Sequence, residues 1–556
     1  MNVDIVCVGF GPATAGFLTT LSKKSLPLQI LCYERADDIG FGVSGVVTRG
    51  RGIHASLPDL NPAEIPMATP VSSEKVVYLL DPIGASRRSR SLKLTDRLLR
   101  ALGRTRESAV ELPYIPPFLR KHDGLVMSLG QFMQYVGGQL MATGNVQIWP
   151  GMPVEKALIQ NGCVRGIRLL DQGMEIEANL TVVGDGPVGA VGKQLDQEFG
   201  MPEGNGSREW AVGMKMVVDL AVDLAPGTVL HTFGYPEPEI FGFFYVHPDR
   251  VATVGIFVPS WFRSPVRTSY RYLQHFIQHP YLWRYLRGAK LRSWGAKSLQ
   301  ESGRRGEPFL AGNGYARIGE GSGSTNVLTG SGVDEAWTTG TQLAEGVIEL
   351  LDAGKPFTRE NLESAYVARR RASWVEKEAR IAENARDGFH NGMLRGLIGM
   401  AVTGFTNGEI AVGGEPHRTL SYRDYYRGKQ VDQIIEECRA LGVSCHDALM
   451  DACGWPPIKY DGELLVSQQD ALLLGGKVQA GPGADHVHFR DREVCRHCAT
   501  KLCVEICSGQ ALGPSSEGVP TFDREKCIHC GACLWNCESG NLIFQAGPGG
   551  LHSSEN

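Results

Sequence analysis

Residues 3–16 read VDIVCVGFGPATAG. The apolar, β-branched run 3–8 predicts a buried strand, and Gly9-Phe10-Gly11-Pro12 stands where it turns into the apolar stretch Phe17–Leu21, a helix. Such a turn lets the backbone approach a pyrophosphate closely and offers it the free N–H groups of a helix start. A second strand, LQILCYE, ends at Glu34, next to Arg35 and 25 residues after Gly9. An acid there is placed to accept from a ribose hydroxyl. Thr14 takes the third glycine position of the fingerprint, and Gly16 follows two residues later. Strand, turn, helix and strand together open a parallel α/β sheet.

One glycine fingerprint also fits an ordinary strand–helix turn; two further strand ends decide between the readings. ANLTVVGDG reaches Gly184-Asp185-Gly186. The strand Tyr315–Ile318 runs into Gly319-Glu320-Gly321 and then GSG, ahead of a helix that starts near Gly332-Val333 and runs to about Leu351. Turns near positions 10, 185 and 320 suit an FAD site built from separated segments. Its candidate residues are Gly9, Gly11, Pro12, Ala13, Thr14, Glu34, Arg35, Gly184, Asp185, Gly186, Gly319, Glu320, Gly332 and Val333. Asp334 and Glu335, which follow, are expected as helix-dipole acids.

Between these turns the pattern changes. Residues 60–125 are rich in Pro and Arg and read as an excursion. A helix runs from Gly130 to Met141, and VQIWPG and CVRGIRLL read as paired strands joined at Asn161-Gly162. WAVGMKMVVDL, FGFFYVH and RVATVGIFV alternate as strands over 210–260, an antiparallel sheet with a substrate or partner face. Thr358 is placed to cap a long charged helix to about Asp387. The organisation expected is a flavin region over 1–414, with the sheet drawn from about 60–120 and 205–300, then a connecting segment 415–485 and a cysteine-rich module 486–556.

The chain has 556 residues, room for three or four domains. Apolar residues make up 42%, enough for sizeable cores, and 56 Lys+Arg against 60 Asp+Glu give no electrostatic case for nucleic acid. The cluster Arg87, Arg88, Arg90, Lys93 reads as one solvated basic patch. No stretch approaches 18 apolar residues and no secretory leader is visible, so the expected location is cytoplasmic, at most peripheral at a membrane face. Fourteen cysteines, eight of them between Cys495 and Cys537, mark a local cluster in a reducing compartment.

Those eight read Cys495-x2-Cys498-x4-Cys503-x3-Cys507 and Cys527-x2-Cys530-x2-Cys533-x3-Cys537. The second run has the spacing of bacterial two-cluster ferredoxins, whose fourth cysteine ligates the other cluster. The assignment is then Cys495, Cys498, Cys503 and Cys537 on one [4Fe–4S] cluster, and Cys507, Cys527, Cys530 and Cys533 on the other. Two structural zinc sites are the alternative, but zinc ribbons use paired C-x2-C knuckles rather than four-cysteine runs. His497 and His529 lie inside the loops and read as outside the ligand set. His486-x-His488 reads as surface, and Cys438, Cys445 and Cys453 as core.

A flavin domain followed by a ferredoxin tail resembles the electron-transfer-flavoprotein:quinone oxidoreductase family, and the FixC and FixX proteins that carry the two parts on separate chains. The likeness extends to LGQFMQYVGGQL at 129–140, WGAKSLQESG at 294–303, PIKYDG at 457–462, ADHVHFRD at 484–491 and CIHCGAC at 527–533. The resemblance implies an α/β plus α+β architecture: a Rossmann-like FAD domain, an antiparallel-sheet domain and a ferredoxin-like 2[4Fe–4S] domain. It implies electrons passing from electron-transfer flavoprotein through cluster and FAD to a quinone such as ubiquinone, with no side-chain nucleophile. The family's single cluster maps to Cys507, Cys527, Cys530 and Cys533. Three departures stand out. Met127 is where the family usually has an arginine near the cofactor, and Glu320 replaces the common residue of the third turn. GLIGMAVTGFTNGEIAVGGEPHR replaces a strongly apolar membrane-dipping segment; its Asn407, Glu409, Glu415 and Arg418 are costly in lipid. A second reading reverses the flow: ferredoxin clusters feeding FAD for reduction of an unsaturated isoprenoid, as in geranylgeranyl reductases, with Phe241, Phe243, Phe244 and Tyr245 lining an apolar pocket. A third is a non-catalytic docking subunit holding zinc.

Overall fold

The computed structural model describes residues 2–553 apart from 41–44, 171–172, 207–208, 416–418, 426–430, 475, 480–484 and 548–549. Arg418 and the first residue of the 484–491 stretch therefore lie outside the described residues.

Five parallel strands form the spine of one sheet, in the order Tyr315–Arg317, Glu175–Val183, Asn2–Val8, Ile30–Tyr33 and Val146–Trp149. Asn2–Val8 and Ile30–Tyr33 at its centre carry near-continuous buried runs, as strands covered on both faces require, while the edge strand Val146–Trp149 alternates buried and exposed. The helices Pro12–Ser22 and Val333–Asp352 pack on this sheet side by side. Two small residues set their approach: a Cβ on Gly340 would sit 1.8 Å from the Ala13 carbonyl oxygen, and one on Gly16 would sit 2.4 Å from that of Trp337. No other residue type fits either place.

The sequence pairing near Asn161-Gly162 needs correction. Val146–Trp149 joins the parallel spine beside Ile30–Tyr33, and the hairpin partner of Cys163–Leu169 is Val154–Gln160. Asn161 and Gly162 both take positive φ, 51° and 71°, as a two-residue hairpin turn demands.

The second sheet has seven strands, in the order Lys290–Gln300, Trp210–Asp219, Val251–Pro259, Phe241–Val246, Thr228–Phe233, Ser73–Leu79 and Ala109–Glu111. The excursion at 60–125 thus supplies its far edge. One face packs on the helices Ser269–Ile277 and Pro280–Leu286. Into the same core go Val431, Leu449, Met450, Trp455, Leu464 and Leu472 from the segment read as a connector, which is a structural wall rather than a link.

Three further expectations change. The helix from Thr358 is not continuous: Thr358 caps Arg359–Leu362, and an extended Ser373 (φ −85°, ψ 170°) breaks the run before Trp374–Ala382. Arg88 is not solvated; it is buried, pairs with Asp96 at 2.8 Å and donates to the Leu79 carbonyl. Asp334 and Glu335 are buried, and Asp334 accepts from the backbone N–H groups of Arg51 and Gly52, capping a neighbouring helix rather than its own.

Candidate functional site: a cavity walled by both sheets and the cysteine module

A cavity of about 820 Å3 runs between the two sheets. Thirteen of the fourteen residues named from the glycine turns line it: Gly9, Gly11, Pro12, Ala13, Glu34, Arg35, Gly184, Asp185, Gly186, Gly319, Glu320, Gly332 and Val333. Thr14 is the exception. It is fully buried beneath Gly184, whose missing Cβ would lie 2.4 Å from its hydroxyl oxygen. A Cβ added to Gly11 or Gly186 meets no atom within 4 Å. Both glycines border open volume, so the cradle is shaped by their lack of side chains.

The polar groups around this end suit a dinucleotide. Glu34 accepts from the Phe10 and Ala36 N–H groups (2.8 and 2.9 Å), which pins its carboxylate at the cavity wall. Arg35 also lines the cavity, and its buried Nη1 has no hydrogen-bond partner among the described residues. An unpaired buried guanidinium nitrogen is costly, and an anionic phosphate or a cluster thiolate would satisfy it. Asp185 lines the wall but spends its carboxylate on the Gly192 N–H. Glu320 accepts from the Gln300 N–H, and burial pushes its carboxyl up to about 7.

Farther along, the lining comes from the second sheet. In register across its strands stand Val76, His231, Phe243, Gly255 and Lys215, a single transverse row. Lys215 donates to the Gly45 carbonyl at 3.0 Å, and burial lowers its ammonium to about 8. Phe241, Phe243 and Tyr245 line the cavity, while Phe244 faces the opposite core. Beyond them the wall turns apolar, with Phe118, Leu119, Leu397 and Met400. No spacing signal in the sequence marks His231, Lys121, Lys215 or Lys297 as lining residues; strand register brings them together.

The cysteine module closes the other side. His529, Phe544, Gln545 and Ala546 line the same cavity. The Ser298 N–H donates to the Cys530 carbonyl at 2.9 Å, and the Trp535 indole N–H donates to the Ser298 hydroxyl at 2.7 Å. Lys193 reaches the Phe544 carbonyl at 3.1 Å. The thiols of Cys495, Cys498, Cys503 and Cys537 interact electrostatically, as do those of Cys507, Cys527, Cys530 and Cys533, and Cys503 also interacts with Cys507 and Cys533 across the two sets. Burial pushes up the thiols of Cys495, Cys503, Cys507, Cys527, Cys530 and Cys533, that of Cys507 to about 11. N–H groups of Ala511 and Leu512 nonetheless point at the Cys507 sulfur (3.2 and 3.3 Å), and the Asn541 amide donates to that of Cys495 at 3.1 Å. Such donors favour sulfur carrying negative charge. A zinc ion bonded at about 2.3 Å would draw four sulfurs to about 3.8 Å from one another. Among the described residues, no three of the eight sulfurs lie mutually within 4.8 Å.

His486 is not a surface residue. It is buried, its Nε2 lies 3.2 Å from the Cys527 sulfur, and its ring stacks on His529 with centroids 4.2 Å apart. His497 is exposed, as expected.

Comparison with known proteins agrees with this geometry. A family model described as "ETF-QO, ubiquinone-binding" matches residues 210–299, most of the second sheet, and a 4Fe-4S binding domain model matches 519–543. The electron transfer flavoprotein-ubiquinone oxidoreductase of Pseudomonas aeruginosa is 26% identical over 443 residues, 75% of this chain and 75% of that protein. The chain is similar to the electron transfer flavoprotein-ubiquinone oxidoreductases. The mitochondrial oxidoreductase of Sus scrofa is 26% identical over 534 residues, 89% of this chain and 77% of that protein. The fold alone is shared with a geranylgeranyl bacteriochlorophyll reductase-like protein of Thermoplasma acidophilum, at TM-score 0.54 and 16% identity over 78% of this chain and 99% of that one. The chain is an FAD and iron–sulfur protein, and the cradle and the cysteine module fit those groups.

Proposed function

We propose that this chain takes electrons from electron-transfer flavoprotein and delivers them to a quinone, through two [4Fe–4S] clusters and FAD. The ligand sets are Cys495, Cys498, Cys503, Cys537 and Cys507, Cys527, Cys530, Cys533. The FAD site is the cradle of Gly9–Ala13, Glu34, Arg35, Gly184–Gly186, Gly319, Glu320, Gly332 and Val333. FAD supplies the exchange between one-electron and two-electron chemistry. The chain's own residues fix positions and field: Ser298 and Trp535 clamp the cysteine loop on the cavity wall, Arg35 and Lys297 supply positive charge between module and cradle, and the Phe118–Met400 arm excludes water.

The observation that carries this reading is the Ser298–Cys530 bond. It seats a cluster-ligand loop on the wall of the flavin cavity, with His529 lining that cavity. The apolar arm reaches a surface where Leu94, Leu98, Leu102, Ile398 and Phe405 are exposed, and Phe405 packs edge-on against Phe118. This supports peripheral contact with a lipid face. No helix among the described residues is long and apolar enough to cross a membrane.

The test is anaerobic turnover of the holoprotein with reduced electron-transfer flavoprotein and a short-chain ubiquinone. The expected result is quinol formation, with about eight irons and one FAD per chain. Bands that bleach with dithionite but not with the flavoprotein would overturn it in favour of a ferredoxin-fed reductase of an unsaturated small molecule.

A further inference from the structure

His231 and Glu74 form a pair that neither the cofactor sites nor the cluster module uses. His231 lies on the strand Thr228–Phe233, its Nε2 2.8 Å from Glu74 Oε1 on the parallel neighbour Ser73–Leu79. Glu74 is itself held: both its oxygens accept from the Lys121 backbone N–H, at 2.8 and 3.0 Å. The Glu74 side chain is 5% exposed and that of His231 22% exposed. Nδ1 of His231 has no protein partner among the described residues. His231 lines the cavity in the transverse row that also holds Phe243 and Lys215, on the side where the lining becomes apolar.

A hydrogen-bonded imidazole–carboxylate pair in the wall of an apolar arm has the makings of a proton donor. The carboxylate fixes the ring and stabilises its charged form, and the other nitrogen is left for a reacting atom. Resting on the quinone reading above, we propose that His231, oriented by Glu74, is the acid that protonates the quinone during its reduction. The imidazolium N–H bond breaks and an O–H bond forms on one quinone oxygen, while reduced flavin is the reductant. In total, quinone, anionic reduced flavin (two electrons and one proton) and imidazolium give quinol, oxidised flavin and neutral imidazole. Nε2 keeps its hydrogen on Glu74, and the ring regains its proton at Nδ1 from water that enters when the quinol leaves.

The charged groups around the pair are few. Lys121 sends its ammonium to the Thr329 carbonyl, Tyr245 lies beside Glu74, and Lys215 sits over the Phe243 ring at 5.6 Å. Lys75 and Glu111 pair with each other at 2.9 Å near the surface.

The test compares two acceptors in the holoprotein fed by reduced electron-transfer flavoprotein: a short-chain ubiquinone, which takes protons, and ferricyanide, which takes only electrons. His231→Gln is expected to lower the quinone-to-ferricyanide turnover ratio by roughly 10²-fold, through kcat rather than KM. Exogenous imidazole is expected to restore part of it in His231→Ala. Glu74→Gln is expected to lower the same ratio, again through kcat rather than KM. A ratio within twofold of wild type in His231→Gln or in Glu74→Gln overturns the proposal and leaves the quinone reading intact. A wild-type protein active on ferricyanide but not on quinone overturns both.

Discussion

The two cofactor regions are built by opposite strategies. In the proposed assignment each cluster takes three cysteines from one loop and a fourth from the other, all within 43 residues of chain. The flavin cradle draws on segments near 10, 34, 185, 320 and 332, and its far wall on a second sheet that starts at residue 73. A local site is defined by spacing, since covalent geometry already limits where the sulfurs go. A dispersed site is defined by register, because only the folded sheets bring its residues together. The two should therefore fail independently, and each substitution below probes that independence.

The largest effect should come from the local site. Cys530→Ser is expected to remove one cluster, halving the iron and acid-labile sulfide while FAD stays bound; unchanged iron would break the ligand assignment. Gly11→Leu is the converse. Gly11 has ordinary extended backbone (φ −100°), so the new side chain brings no strain and projects into the cradle. FAD content should fall at least about tenfold, with iron and sulfide retained. If both cofactors vanish together in either variant, the regions are one cooperative unit and the comparison fails.

A third effect sits behind the flavin cavity only. Burial works against charge on Glu376, but hydrogen bonds from Arg380, Arg371 and Arg304 hold its carboxyl down at about 2, against 4.5 ordinarily. Such a group contributes stability above pH 4.5, and that contribution is lost as pH falls from there towards 2. Glu376→Gln should cost about 3 kcal/mol at pH 7. The gap from wild type in chemical denaturation should stay level down to pH 5 and narrow below 4.5. The smallest effect is at the seam. Trp535→Phe removes the bond to Ser298 and should cost about 1 kcal/mol, visible as a lower midpoint for loss of the cluster absorbance.

How much of this was legible in the sequence follows the same division. The two cysteine runs and thirteen of the fourteen residues that line the cradle could be read from spacing and from turns at strand ends. Thr14 was misplaced because it occupies a fingerprint position yet points into the packing under Gly184. His486 was misread as surface: a strand-like His-x-His pattern carries no sign of the stacking with His529. Asp334 looks like any first-turn acid until the neighbouring helix at Arg51 is folded against it. His231 and Lys215 share a row only because four strands pair in one register, and no window of sequence contains that information.

The proposed electron path reaches the flavin through the cysteine loop seated on Ser298. Anaerobic stopped-flow mixing of reduced electron-transfer flavoprotein with wild type and with Cys530→Ser tests it directly. Flavin reduction is expected to slow at least about a hundredfold in the variant, while dithionite still bleaches the bound flavin. Flavin reduction by the flavoprotein at the wild-type rate in Cys530→Ser would contradict it.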